Sequence, residues 1–126
     1  MRGNRDYNQA IRDYNEAIRL DSKSPAWNQR AWLQATCPDE KYRDGKKAVA
    51  DATRACELTS WKDATNLDTL AAAYAESENF DEAVKWQEQA IAFASPAIKA
   101  TFESRIVLYR DGKPYREVPN AKVVAE

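Results

Sequence analysis

The chain contains no histidine, which removes the side chain most used as a general base and as a metal ligand. Its glycines stand isolated at positions 3, 45 and 112, so no glycine-rich phosphate loop can be assembled. Cys37 and Cys56 lie 19 residues apart, with no histidine or further cysteine to complete a zinc site. If each sits near the far end of one of two neighbouring helices, they stand on the order of 15 Å apart, beyond disulfide reach. Two reduced thiols are expected, with Cys56 packed as a small apolar group. The carboxylate pairs Asp39/Glu40, Glu76/Glu78 and Asp81/Glu82 are the remaining candidates for acid–base work. Asp81 and Glu82 open a helix, where negative charge is favourable, and Asn79 with Glu82 has the spacing of a capping box. These carboxylates read as solvated structural groups. The residues imply no catalytic site, no metal and no cofactor, hence no enzyme.

One stretch carries another kind of chemistry. In Tyr109-Arg110-Asp111-Gly112-Lys113-Pro114-Tyr115-Arg116 aromatic and cationic residues alternate, a pattern that can hold single-stranded nucleic acid. The competing reading folds Tyr109 and Tyr115 back over the preceding helices and leaves the charges in water. A net charge of −1 supplies no field for nucleic acid or anionic lipid, so the second reading is favoured and single-stranded RNA binding is disfavoured.

The elements that must position these residues are helical. The chain is 126 residues long, 44% hydrophobic and 31% charged, the balance of one soluble globular domain. It is rich in Ala, Glu, Lys and Arg and poor in glycine, which favours an all-α fold. No apolar run approaches membrane-spanning length. The start, Met1 to Tyr7, is too polar for a secretory signal, and a cytoplasmic location is the expectation.

The clearest pair of helices lies between Leu67 and Phe93. Leu67, Leu70, Ala71 and Tyr74 share one helical face; Phe80, Ala83, Val84, Ala90 and Ile91 share another. Only Glu76-Ser77-Glu78-Asn79 separates them, which predicts a tight antiparallel hairpin. Its second half recurs. Ala10 and Ala17, Ala48 and Ala55, and Ala83 and Ala90 are each seven residues apart, and the copies start 38 and 35 residues apart. A period of that length marks stacked helical units.

On these residues the chain resembles the tetratricopeptide repeat (TPR) family. The matching positions are Leu67, Leu70, Ala71, Tyr74, Phe80, Ala83 and Ala90 in the fullest copy. Trp27, Ala31, Ala48 and Ala55 match in the copy before it, and Tyr7, Ala10, Tyr14 and Ala17 in the earliest. The resemblance implies an α-solenoid of about two and a half TPR hairpins plus a C-terminal capping helix, over residues 4–110. Residues 4–21 would be an unpaired second helix, 25–59 the second repeat, 63–94 the third and 96–110 the cap, followed by an extended tail at 111–126 whose last residues are loose. Residues 4–21 lack their first helix, which suggests a fragment of a longer protein or a short gene product. The face bearing Tyr7, Ile11, Tyr14 and Ile18 would then be half-hydrated, or would pair with another chain and make a homodimer.

Details of the connections follow from local signals. Ser24-Pro25 and Ser95-Pro96 each predict a serine cap followed by proline at the first helical position. The polar stretch Cys37–Gly45 reads as a tolerated loop insertion, or as a loop that carries a contact. Trp61 is expected to plug the seam between hairpins, with a ligand platform as the alternative. Ile98, Phe102, Ile106 and Tyr109 form one face of the cap.

TPR proteins bind peptide segments of partner proteins in the concave groove lined by their first helices. By matching position the groove residues would be Asn28, Trp32, Ala35 and Thr36, then Asp68, Ala72, Ala75 and Glu76. The family's lysine- and asparagine-based carboxylate clamp should be absent, because Thr65 and Thr69 stand where cations would. Trp32 over Ala72 suggests a small apolar slot with an acidic margin, suited to an apolar or basic peptide. The expectation is a non-catalytic scaffold for protein–protein interaction.

Overall fold

In the computed structural model residues 6–118 are described, and among them the regular elements are all helical. The order is α1 (Tyr7–Leu20), α2 (Ala26–Thr36), a 3-10 turn (Glu40–Tyr42), α3 (Gly45–Leu58), α4 (Ala64–Glu76), α5 (Phe80–Phe93) and α6 (Pro96–Arg110). Residues 4 and 5 of the expected first helix, and the tail from 119 onward, lie outside the described residues.

Short polar side chains start most of these helices. Asp6, Asp44, Asp63 and Asn79 each accept the amide three residues on, at 2.9, 3.1, 3.1 and 3.3 Å. Each satisfies an amide that the helix itself leaves unpaired, for about 1 kcal/mol. The two serine–proline starts each meet expectation in part. The Ser24 hydroxyl accepts from the Ala26 amide only two residues on, at 3.0 Å, but Pro25 lies outside the helix, so α2 begins one residue later. Pro96, which has no amide to satisfy, is the first helical residue of α6, but Ser95 makes no side-chain cap bond.

Three helices end in the same way. Trp61, Asn79 and Lys113 donate their amides to Cys56, Tyr74 and Leu108, each at 2.9 Å. The residue before each donor, Ser60, Glu78 or Gly112, has φ of 56°, 63° or 71°. This is the left-handed closure that stops a helix and reverses the chain. Glycine adopts it freely; Ser60 and Glu78 do so at a cost.

Alanine sets how the rods meet. Ala31, Ala35, Ala48, Ala52, Ala71, Ala72, Ala73, Ala75, Ala83 and Ala90 are all 0% exposed. With so little side chain between them, α2 packs on α3, α4 on α3 and α5, and α2 also on α4. Helix α6 packs on α5, burying Phe102, Ile106 and Tyr109 as its spacing predicts. Between α3 and α4 the fit is closer still. A Cβ built on Gly45 would stand 2.5 Å from the Ser77 hydroxyl and 2.8 Å from its backbone nitrogen.

Helix α1 is the most lightly held, with no fully buried residue. It rests on α2, where Arg30 donates to Asn15 at 2.7 Å and makes a two-pronged contact with Asp51 of α3 at 2.7 and 2.9 Å. Gln34 donates to the same carboxylate at 2.9 Å. At the other end of α1, Tyr7 lies against Tyr42 with ring centroids 5.3 Å apart. The loop after α2 is therefore more than a spacer. It carries Tyr42, and its Arg43 lies 3.4 Å from the Glu76 carboxylate at the end of α4.

Candidate functional site

The residues expected to line a groove divide into two groups. Asn28, Trp32 and Glu76 are half-buried, whereas Ala35, Thr36, Asp68, Ala72 and Ala75 are buried. The expectation that all eight face an open surface is corrected here. Ala35 and Ala72 are sealed by contact between α2, α3 and α4, with Trp32 packed beside them. The others are covered by the chain's own C-terminal part.

Asp68 shows this most clearly. Its carboxylate receives Arg105 of α6 at 2.6 Å and Gln87 of α5 at 2.9 Å, and Gln87 also donates to the Phe102 carbonyl at 3.0 Å. Burial pushes the Asp68 carboxyl above its ordinary range, and Arg105 and Gln87 pull it back only in part. The Arg105 guanidinium lies between rings, 4.9 Å from Trp32, 4.5 Å from Tyr115 and 5.8 Å from Phe102. Each such desolvated contact contributes about 1–2 kcal/mol. The acidic margin expected from Asp68 is thus a neutralised buried pair.

Beyond α6, Gly112 turns the chain back. Residues 113–118 then run without regular structure along α2 and the end of α4. The Glu117 amide donates to the Thr36 carbonyl at 2.8 Å, and the Trp32 indole donates to the Glu117 carboxylate at 3.1 Å. The Tyr115 and Trp32 rings lie 5.8 Å apart. Tyr115 also packs against the cluster of Ala71, Ala75, Ala83 and Tyr109. Arg116 reaches Glu76 at 3.0 Å. The aromatic–cationic stretch therefore folds back on the preceding helices, with Tyr109 buried and Arg110 in water.

Beside this strap an open pocket of about 400 Å³ remains. Tyr14 of α1, Asn28 and Trp32 of α2, Thr65 and Thr69 of α4, and Ile98, Phe102 and Arg105 of α6 contribute to its lining. Its wall is mainly apolar, with Asn28, Thr65, Thr69 and Arg105 among its polar members. Such a pocket suits an apolar group. No family model, curated protein or solved structure matches this chain.

Arg105, Tyr115 and Glu117 were not among the expected site residues. One signal was available: Arg105 interrupts the apolar stripe of α6, three residues after Phe102 and one before Ile106. Gln87 likewise stands between Ala83 and Ala90 on a core face. The docking of Tyr115 and Glu117 on Trp32 has no counterpart in local spacing.

The other expected surface is also partly occupied. Tyr7, Ile11, Tyr14 and Ile18 are all half-buried, because α1 lies on α2, Tyr7 meets Tyr42 and Tyr14 lines the pocket. Trp61 differs from its expected role as a seam plug. It is 36% exposed and covers the seam only in part, stacking at 5.3 Å on Trp86 of α5, which itself packs against the core. Cys37 and Cys56 are buried free thiols. Burial pushes Cys56 up to about 12 and raises Cys37 as well. Among the described residues no group of three His, Cys, Asp or Glu could hold a metal ion, and no helix is long and apolar enough to cross a membrane.

Proposed function

We propose that this chain is a non-catalytic interaction module, a TPR-like α-solenoid that holds a peptide segment of a partner protein against the side of α2 and α4 facing α6. The observation that carries this reading is the pocket of about 400 Å³ beside Trp32. It lies where the repeat resemblance expects ligand contacts, and its mixture of ring faces and methyl groups suits an apolar side chain of a peptide. The buried thiols and the neutralised Asp68–Arg105 pair supply no activated nucleophile or free base, which supports a binding role. A reducing, cytoplasmic setting for two free thiols is part of the same proposal.

Thr65 lines the pocket and is exposed, so Thr65→Trp should fill the site without entering the core. Selection from a random peptide library should yield a consensus that binds the native chain with a Kd of about 1–100 μM and fails to bind Thr65→Trp. Failure to enrich any consensus, or equal binding by the blocked variant, would remove the proposal.

A second reading, a homodimer through α1, is favoured by the absence of any fully buried residue on that helix despite Ile11, Tyr14 and Ile18 along it. Light scattering over a range of concentrations decides it: a mass that stays at one chain excludes the dimer.

A further inference from the structure

We infer that the surface made by Trp32, Thr36 and Glu76 is a seat for an extended segment carrying an aromatic, a guanidinium and a carboxylate side chain in consecutive positions. Tyr115-Arg116-Glu117 is the resident occupant. A partner segment of the same chemistry takes this seat by displacing it. The inference rests on the peptide-binding reading and names the class of peptide and its internal competitor.

The geometry of the strap carries it. In an extended chain successive side chains point to opposite sides. Tyr115 and Glu117 both meet Trp32, the first by ring contact at 5.8 Å and the second by accepting the indole N–H at 3.1 Å. Arg116, between them, goes the other way to Glu76 at 3.0 Å. A backbone bond from Glu117 to Thr36, 2.8 Å, fixes the register. The seat thus reads three consecutive side chains by three different interactions and holds the main chain at one point. This is how a surface recognises an extended peptide.

The occupant is held unevenly: Tyr115 is anchored on Trp32, Arg105 and the Ala71, Ala75, Ala83 and Tyr109 cluster, whereas Arg116 and Val118 are exposed. The Arg116 side chain is 44% exposed, so its pair with Glu76 is largely screened. Val118, next in the chain, is 58% exposed. Besides these contacts, the covalent link through Gly112 keeps the strap at high local concentration. A competitor free in solution therefore binds with its intrinsic affinity multiplied by the fraction of time the seat is empty.

The test uses the full chain with Arg116→Glu, an exposed substitution that sets two carboxylates against each other and loosens the strap without touching the core. The probe is a fluorescent synthetic peptide of sequence Gly-Lys-Pro-Tyr-Arg-Glu-Val, followed by anisotropy. It should bind Arg116→Glu about tenfold more tightly than the native chain. Replacing the peptide's Tyr by Ala, or its Arg by Glu, should abolish that binding. Unfolding curves that superimpose for the two proteins establish that the fold is shared; should they differ, Glu117→Lys, which removes the acceptor for the Trp32 indole, serves in its place. Equal affinity for both chains, or undiminished binding of a scrambled peptide, overturns the inference. If library peptides still compete at the Thr65 pocket while this peptide binds neither chain, the inference fails and the pocket reading stands. If no peptide binds anywhere, both fail.

Discussion

Asp68 is the residue on which the interior depends most. It stands on α4, where periodicity alone makes it a flank residue, yet its side chain is only 4% exposed and holds Arg105, itself 13% exposed, at 2.6 Å. Replacing Asp68 by Ala would leave a guanidinium buried without its counter-charge. We expect a loss of about 3–5 kcal/mol, read from urea unfolding. A loss below about 1 kcal/mol would mean that Arg105 finds water instead. Cys56 makes a second prediction at this scale. Its thiol has an ordinary value of 9.0 in the unfolded chain and is pushed to about 12 by burial. The folded chain therefore keeps a proton that the unfolded chain loses between those values. Its contribution to stability is complete below pH 9 and is lost as pH rises toward 12. At pH 8 both cysteines should resist iodoacetamide in the native chain and react promptly in urea. Rapid native labelling of Cys56 would contradict its burial.

Among elements, the junction between α3 and α4 and the turn after α4 respond in opposite directions to small changes. Gly45→Ala would bring a methyl group to 2.8 Å from the Ser77 backbone nitrogen, which cannot swing away as a side chain can. The expected cost is about 1–3 kcal/mol, the usual range for overpacking. Glu78 has the reverse problem, a Cβ on a backbone with φ of 63°. Glu78→Gly should stabilise the chain by about 1 kcal/mol. Thermal unfolding of the two variants side by side checks both, and a shift of the same sign in each would refute the account. The helices themselves were legible beforehand. Alanines seven residues apart, the caps expected at Ser24, Asp63, Asn79 and Ser95 and the short breaks between runs gave the number of helices and most of their ends to within a residue or two. The exception is the start of α1, at Tyr7 rather than residue 4. The 3-10 turn at Glu40–Tyr42 was not legible, because three residues carry no period.

For the whole molecule the decisive feature is that the C-terminal end returns to α2. Trp32 receives Arg105, Tyr115 and Glu117 from residues far along the sequence. Trp32→Ala should release residues 113–118, so that the Glu117 amide exchanges at least about tenfold faster while α4 and α5 keep their protection. It should also cost about 3 kcal/mol of stability. Protection unchanged at Glu117 would show that the strap stands without its aromatic anchor.

Sequence alone determined that the chain is helical, roughly where most helices lie, and which alanines lie between helices, because caps and apolar periods act over a few neighbouring residues. It also determined the absence of histidine and of any glycine-rich loop, since missing residue types are read directly. The tertiary structure decided which of the flank residues remain accessible. Whether Asp68 meets water or Arg105, and whether Trp32 faces solvent or Tyr115, depends on segments more than thirty residues away, and on a pairing whose energy no local spacing encodes.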